Sequence, residues 1–191
     1  MATFRERSIS AFRGKLTGGG ARSNLFEVDI TFPASVGPDA VRDEKVNFLC
    51  KAAEIPASNL GNIPVPYRGR VLPVAGDRTF DPWTVTIIND TDFIIRDAME
   101  KWSNSINDLQ TAQGTINPEV YQRSAQVKQL SREGSAPGDP EKTLRIYNFQ
   151  GIYPNTVSSI PLDFGATDQI EEFQVTFNYL FYEVAGPTGS F

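Results

Sequence analysis

Hydrophobic and polar residues alternate along several stretches of the chain, and a period of two predicts β-strands. In the second stretch the alternation places Val46, Phe48 and Cys50 on the inward side, and in the last it places Tyr179 and Phe181 there. Each strand would then bury one face and expose the other. The predicted strands are residues 25–32, 46–53, 83–88, 121–130, 143–154 and 173–184.

One segment has the period of a helix instead. Ile95, Met99, Trp102 and Ile106 recur at spacings of four, three and four residues and form one apolar face. The polar residues 89–92 precede them and offer capping oxygens and negative charge. The sequence therefore predicts a helix over about residues 92–107, packed by this face on a sheet.

Six or more strands, a single helix and no alternating βα rhythm predict a mostly β fold. We expect an antiparallel β-sandwich or barrel-like subunit with one flanking helix. Between Ile55 and Gly76 several prolines argue against a central strand, although the stretch is too apolar for an ordinary loop. We interpret residues 55–76 as a long β-hairpin arm with its tip near Tyr67–Arg70, used for interaction.

The charge is unevenly distributed over this chain of net charge −5. Residues 1–23 contain five basic residues against Glu6, a balance of +4, so the remainder carries −9. We expect a basic, flexible N-terminal arm over residues 1–23 that pairs with acidic surface, such as that of a neighbouring copy. A folded domain over residues 24–184 and a short tail over 185–191 complete the predicted organisation.

The composition removes most catalytic chemistry. The chain has no histidine and a single cysteine, Cys50, so catalytic triads, histidine zinc sites and internal disulfides are ruled out. Paired carboxylates remain, but Asp77, Asp81 and Glu171–Glu172 are interpreted as salt-bridging and capping groups. We expect no enzyme activity, catalytic residues, cofactor or metal, and no membrane insertion or signal peptide.

Several motifs resemble those of one protein family, and they occur in the same order over residues 24–184. The densest is VLPVAGDRTFDPWTVTIIND, followed by the helix with Trp102. By these motifs the chain resembles the tail tube proteins of contractile-tailed bacteriophages. The insertion at residues 33–45, the basic arm and the end after Glu183 depart from the family pattern. The other matching motifs are NLFEVDI, FLCKAAEIPA, YQRSAQVKQL and FQVTFNYLFYE.

The resemblance implies a structural subunit of the virion tail, assembled in the cytoplasm of the host bacterium. Six subunits would close a ring with a continuous inner β-barrel, and stacked rings would form a hollow tube inside a contractile sheath. DNA would pass through the bore without specific binding. The implied partners are further copies of the chain, the sheath protein, a baseplate initiator and a tail terminator.

Two sets of surface residues are candidates for this role. A bore requires polar side chains without a basic surface that would hold DNA phosphates. Contacts between copies would use the N-terminal arm, the loop after the helix and the hairpin arm with its base. The lumen-lining candidates are Glu27, Asp29, Thr84, Thr86, Ser124, Gln126, Gln174, Thr176 and Asn178. The inter-subunit candidates are Arg5, Arg7, Arg13, Tyr67, Arg68, Arg70, Asp77, Arg78 and Asp81.

Other functions stay open at the level of the sequence. The nearest alternative is the inner tube of a headless contractile injection system, of the bacteriocin or secretion type, which would conduct effectors or ions. A monomeric β-sandwich binding module is a further alternative, and a carboxylate-based hydrolase has the least support. Arg78 is expected to pair with Asp77 or Asp81 of its own chain, or with a neighbouring copy.

Overall fold

The computed structural model describes residues 8–16, 20–132 and 143–186. The helices are α1 Ile9–Lys15, α2 Ala40–Leu49, α3 Ile94–Ile106 and α4 Pro118–Tyr121, with a 3-10 turn at Ala34–Val36. The strands are β1 Phe26–Ile30, β2 Cys50–Ala53, β3 Asn59–Tyr67, β4 Arg70–Thr79, β5 Trp83–Ile88, β6 Arg123–Leu130, β7 Thr143–Val157, β8 Glu172–Asn178 and β9 Phe181–Ala185.

The strands form two antiparallel sheets that share one strand, β7. Sheet A has the order β1-β6-β7-β9, and sheet B has the order β7-β8-β5-β2. Within the part of the chain that the structure describes, strands β3 and β4 pair only with each other and form the hairpin arm. The expected mostly β, antiparallel sandwich with a flanking helix is confirmed.

Strand β7 passes from one sheet to the other at Gly151. As far as Ile152 the strand pairs with β6, and from Tyr153 it pairs with β8. Gly151 has φ +68°, in the left-handed region, and a Cβ built there would lie 2.7 Å from the side chain of Leu180. The bend therefore requires glycine, because any side chain would meet both backbone strain and a packed neighbour.

The core lies between the two sheets and is closed by α3. Val28, Ala125 and Phe149 enter it from sheet A, and Trp83 and Phe177 enter it from sheet B; all five are buried. Trp102 of α3 is also fully buried and donates its indole N–H to the carbonyl of Tyr121 at 2.8 Å. Val28 in β1 and Trp83 in β5 thus lie on the side of their strands that faces the core.

Helix α3 confirms the predicted helix, but not its predicted cap. Phe93 is the N-cap residue, in the left-handed region at φ 55°, and makes no side-chain capping bond. Asp90 and Asp92 instead accept hydrogen bonds from Lys45 of α2, at 2.6 and 2.8 Å. The carboxylates expected to cap α3 thus tie α2 to the loop in front of α3.

The strand predicted at residues 46–53 is wrong for its first half, because α2 extends to Leu49. Asp39 starts this helix by accepting hydrogen bonds from the backbone N–H groups of Val41 and Arg42. Val46 and Cys50 are buried as expected, but Phe48 is 72% exposed. A spacing of four residues fits two strand repeats and also one helical turn, so the pattern alone did not separate the two structures.

The predicted last strand is two strands, β8 and β9, separated at Tyr179–Leu180. Leu180 donates its backbone N–H to the carbonyl of Gln150 at 2.9 Å, and the chain crosses there from sheet B to sheet A. The crossing shifts the alternation, so Phe181 is exposed while Val184 is buried. The inward assignment of Phe181 was therefore wrong.

The N-terminal segment contains a helix where a flexible arm was expected. Ser8 begins α1, and its hydroxyl accepts a hydrogen bond from the backbone N–H of Ala11. Arg13 lies on this helix and is exposed, whereas the contact candidates Arg5 and Arg7 lie outside the described residues. The predicted C-terminal tail is described only at positions 185 and 186.

Candidate assembly and lumen surfaces

The structure divides the nine lumen candidates between two opposite surfaces. Alternate residues of each strand face the core, so the polar residues between them form the outer faces of the sandwich. Since these faces point in opposite directions, only one of them can line a bore. Sheet A carries Glu27, Asp29, Ser124 and Gln126, and sheet B carries Thr84, Thr86, Gln174, Thr176 and Asn178.

The outer face of sheet B is built from hydroxyl and amide side chains. Thr84 lies opposite Thr176, and their hydroxyl oxygens are 3.2 Å apart. Asn178 donates a hydrogen bond to the hydroxyl of Tyr153 at 3.2 Å. At the end of β8, Glu172 is paired with Lys51 at 2.6 Å. This face thus offers neutral polar groups, and the carboxylate of Glu172 at its edge is paired with the ammonium group of Lys51.

The outer face of sheet A is acidic. Asp29 pairs with Lys128 across β1 and β6 at 2.5 Å, and Glu27 lies 4.0 Å from the same ammonium group. The row that begins at Asp29 continues through Gln126 and the next strand to Glu183 on β9. Glu183 is exposed and adds a third carboxylate. Lys128 is therefore held by acids and the face keeps an excess of negative charge.

Lys128 and Glu183 belong to this surface but were not among the candidates. Lys128 follows Ser124 and Gln126 at steps of two residues, so the alternation of β6 was a signal for it. Glu183 had no such signal, because the break between β8 and β9 reverses the phase of the last strand.

The hairpin arm reverses direction at Arg68 and Gly69, which both have positive φ, at 47° and 81°. This is the two-residue turn with mirror-image geometry that suits the twist of paired strands. Tyr67 pairs with Arg70 beside the turn, and the Arg68 guanidinium lies 5.3 Å from the centre of the Tyr67 ring. The predicted hairpin and its tip are confirmed, and their contact role stays a prediction.

Both faces of the arm are open, since every residue from 60 to 75 is exposed. One face is apolar because Ile63 pairs with Val74 and Val65 pairs with Leu72, all on the same side. These four side chains are 41–60% exposed. An isolated two-stranded hairpin is at best marginally stable in water. The arm is therefore a surface that needs a partner.

The base of the arm is fixed to the body by aromatic rings and amides. Phe80 lies 5.6 Å from Tyr179 and 5.8 Å from Tyr182, measured between ring centres. Asn59 donates a hydrogen bond to Asp81 at 2.6 Å. Burial, with smaller contributions from Tyr182 and Asp81, raises the pKa of Tyr179 to about 12. The arm thus projects from a packed aromatic base.

The expected pairing of Arg78 within its own chain is wrong. Arg78 donates a hydrogen bond to the Ser58 hydroxyl at 3.1 Å, and within the described ranges it forms no ion pair with Asp77 or Asp81. Asp81 is engaged by Asn59 instead. Arg78 and Asp77 are both exposed and stay candidates for contacts with another copy.

Binding chemistry of other kinds has little structural basis in the described residues. Burial raises the pKa of the Cys50 thiol to about 12, so little reactive thiolate forms at neutral pH. Among residues 8–16, 20–132 and 143–186, no group of three acidic or cysteine side chains is placed to hold a metal ion. Within those ranges, no helix is long and apolar enough to cross a membrane.

The same fold occurs in solved structures of other proteins. A chain in the structure of the anti-feeding prophage baseplate shares it with a TM-score of 0.59 and 12% identity, over 87% of this chain and 96% of its own. The amino-acid sequence identifies the family.

The family model described as "Phage tail tube protein" matches residues 21–185. The tail tube protein gp19 of Enterobacteria phage T4 is 32% identical over 167 residues, covering 85% of this chain and 91% of the relative. The tail tube protein of Serratia phage KSP90 is 29% identical over 175 residues, covering 90% and 94%. The chain belongs to the phage tail tube protein family, and the resemblance noted from its motifs is confirmed.

Proposed function

We propose that six copies of this chain close a ring and that rings stack into the tube of a contractile phage tail. The tube lies inside a sheath and conducts DNA from the virion into the host bacterium. Membership of the tail tube family, over residues 21–185, carries this proposal. The role is structural rather than enzymatic, and the subunits assemble in the cytoplasm of the infected cell, where they meet a baseplate initiator and a tail terminator.

Sheet A is the sheet that continues from one subunit to the next. Its two edge strands, β1 and β9, pair inside the subunit without any register shift, so their free sides are regular. The edges of sheet B are irregular, because bulges interrupt β2 after Cys50 and the second half of β7 after Pro154. Bulges and proline are features that discourage pairing with another strand.

The strand directions in sheet A also permit closure. Each neighbouring pair in the order β1-β6-β7-β9 is antiparallel, so β1 and β9 run in opposite directions. Strand β9 of one copy would therefore meet β1 of the next copy in antiparallel pairing. A ring closed in this way removes the open edges of sheet A and places one of its faces around the bore.

With sheet A as the inner barrel, its acidic outer face lines the bore. Glu27, Asp29 and Glu183 repel DNA phosphates, and Lys128 is not free to bind them because two carboxylates hold it. Ser124 and Gln126 complete the polar surface. The threonine-rich face of sheet B then lies outside the bore, so five of the nine lumen candidates belong to the side nearer the sheath.

The arm joins copies by its apolar face rather than by its edges. Pro64 pairs with Pro73, and Pro66 pairs with Val71. Counting from the turn, these positions alternate with the hydrogen-bonded pairs, so their backbone nitrogens face outward. Prolines have no N–H to donate there, and a strand cannot readily be added to the arm. The apolar face made by Ile63, Val65, Leu72 and Val74 remains for docking on another copy.

Electron microscopy and light scattering of the purified chain test the proposal at its base. We expect hollow rings or tubes in negative stain, either spontaneously or after addition of preformed tube seeds. A chain that stays monomeric even with baseplates or seeds would favour a monomeric β-sandwich binding module and reject the tube.

A labelling experiment tests which face lines the bore. Cys50 is buried and has a raised pKa, so it gives little background in maleimide labelling. Tubes are built from Gln126→Cys and, as the matched control, Gln174→Cys chains, and both exposed thiols are labelled with a small gold cluster. We expect gold inside the bore for Gln126→Cys and outside it for Gln174→Cys. The reverse pattern would assign the bore to sheet B.

The tube of a headless injection system is the second candidate function. The shared fold with the anti-feeding prophage chain supports it, but at 12% identity that likeness concerns the fold alone. The sequence relatives are phage tail tube proteins. Packaged DNA in particles that contain this chain would decide for the phage tail, and particles without heads would decide for the injection system.

A further inference from the structure

Helix α1 presents an apolar stripe flanked by positive charge. Ile9 and Phe12 of the helix and Leu16, its C-cap residue, recur at spacings of three and four and are 89%, 67% and 45% exposed. Arg13 and Lys15 lie on either side of this stripe, and positions 8–16 contain no acidic residue. A helix of seven residues is not stable alone in water. The stripe therefore needs a surface on which to pack.

A groove of complementary character lies in the loop between β7 and β8. It has a volume of about 560 Å³, and Ile160, Leu162 and Ile170 supply its apolar lining. Asp163 and Glu171 line it as well. Residues 158–172 contain four acidic residues and no basic one. The groove thus complements α1 in two ways. Its apolar lining suits the apolar stripe of the helix, and the acidic residues of the loop suit the basic residues beside that stripe.

The acids of this loop differ in how far they are already engaged. Glu172 is paired with Lys51, and Glu171 accepts a hydrogen bond from Asn89 at 2.9 Å. Among the described residues, the Asp163 carboxylate accepts only the backbone N–H of Gly165, at 2.8 Å, and Asp163 is exposed. Its negative charge is therefore not neutralised by any described cation and remains available for an incoming arginine or lysine.

The helix of the same chain does not fill this groove. Helix α1 has no buried residue, and Leu162 and Ile170 are 81% and 72% exposed. The family match begins at residue 21, so α1 lies outside the region that the family defines. Two complementary surfaces are thus left open on one chain, which is the arrangement of a head-to-tail contact between identical copies.

We propose that α1 of one copy docks in the β7–β8 groove of a second copy, with Ile9, Phe12 and Leu16 on its apolar lining and Arg13 beside Asp163. The proposal rests on the proposed function, because it requires copies to lie side by side or stacked in a tube. The occupant of the groove is this chain's own N-terminal helix, supplied from a neighbour.

Charge exchange between two chains tests the docking. The helix variant carries Arg13→Glu and Lys15→Glu, and the groove variant carries Asp163→Lys and Gln169→Lys, all at exposed positions. Each variant alone should give at least tenfold fewer tubes than the unmodified chain, since like charges then face each other. A one-to-one mixture should recover tubes, because alternating copies restore every opposite-charge contact. Equal melting temperatures would show that both variants fold.

The outcomes separate this proposal from the alternatives. A chain with all four substitutions should assemble whether docking is within one chain or between chains, whereas rescue by mixing requires docking between chains. Rescue in the fourfold variant without rescue by mixing would overturn the proposal in favour of internal docking. Normal tubes from both variants would also overturn it, and loss of sheath binding by such tubes would assign α1 to the sheath. Failure of the unmodified chain to form tubes would count against the proposed function itself.

Discussion

The indole ring of Trp83 stacks on the phenyl ring of Phe149, with ring centres 4.5 Å apart and planes 22° from parallel. Trp83 belongs to sheet B and Phe149 to sheet A, so this contact joins the two layers of the sandwich directly. Trp83 also donates its indole N–H to the carbonyl of Glu54 at 2.9 Å, just before the arm. The packing of the core and the position of the arm are thus coupled through one side chain.

Replacing Phe149 with alanine should destabilise the subunit by about 3–5 kcal/mol, the usual cost of removing a fully buried aromatic ring. Thermal or urea unfolding of the unassembled chain measures this loss. Phe181→Ala is the matched control, because Phe181 is 43% exposed and should cost much less. Equal losses at the two positions would contradict the assignment of the inner and outer phases of the sheet.

The bend at Gly151 should tolerate no side chain without loss of stability. Gly151→Ala forces alanine into the left-handed region, which costs about 1–3 kcal/mol, and its Cβ also meets Leu180. Unfolding of the variant measures the loss. The double variant with Leu180→Ala should regain the packing part but not the backbone part. Complete recovery in the double variant would show that backbone strain contributes nothing.

Stability should depend on pH through the contact of Lys45 with Asp90 and Asp92. Hydrogen bonding to both carboxylates raises the pKa of Lys45 from 10.5 to about 12, and the bond to Lys45 lowers the pKa of Asp90 below 3.8. Because the pKa of Asp90 is lower in the folded state, its carboxylate stabilises the fold above pH 3.8. This stabilisation is lost as the pH falls through the pKa that Asp90 has in the folded chain. Because the pKa of Lys45 is higher in the folded state, its ammonium group stabilises the fold below pH 10.5. This stabilisation is lost as the pH rises through about 12.

The free energy of unfolding of the unmodified chain and of Lys45→Met, measured over a series of pH values, checks the pH range in which the contact stabilises the fold. The difference in unfolding free energy should be largest between pH 5 and 10 and should shrink in acid, where Asp90 becomes protonated. Lys101→Met, at an exposed position of α3, serves as the control and should show no such pH dependence. A difference that stays constant down to pH 2 would mean that the contact does not stabilise the fold.

The sequence predicted the strands of the core well because their alternation reflects burial on one face. Val28, Val85 and Val175 are fully buried, as their phase required. Residues 46–49 were misassigned because burial of Val46 and Cys50 satisfies a helix as well as a strand. The last strand was misassigned because its crossing between sheets depends on pairing with the distant Gln150, which no local pattern contains.

The lumen candidates show a similar limit. Alternation identified polar outer positions such as Asp29 and Thr86, but it could not show which of them share a surface. Their separation depends on the order of strands in space, since β1 pairs with β6 in sheet A and β5 pairs with β8 in sheet B. The hairpin tip could be predicted because its turn residues and prolines act locally. The regular edges that favour sheet A as the inner barrel could not be predicted from the sequence, because they depend on how β1 and β9 pair with distant strands.

Reversing charge on the proposed bore surface should slow the passage of DNA. Phage particles carrying Glu27→Lys and Asp29→Lys place basic groups along the whole tube, and each ring adds phosphate contacts that retard the moving duplex. We expect ejection several-fold slower than in the unmodified phage, most clearly at low salt. Thr86→Lys with Gln174→Lys, on sheet B, is the matched control and should leave ejection rates unchanged. Slower ejection in the control alone would place sheet B around the bore.

The tip of the arm should be required for joining copies and not for folding. Tyr67 is 65% exposed and contacts mainly its own arm, so Tyr67→Asp should leave the melting temperature of the unassembled chain unchanged. In the tube, the same change would bury a carboxylate in a contact that we expect to be apolar, at a cost that abolishes stacking. Electron microscopy should then show single rings or monomers. Thr79→Asp, at the exposed base of the arm, controls for added charge and should still give tubes. Tubes of normal length from Tyr67→Asp would show that the tip of the arm lies outside the contact between copies. The apolar face at Val65 and Leu72 would then have to join copies without the tip.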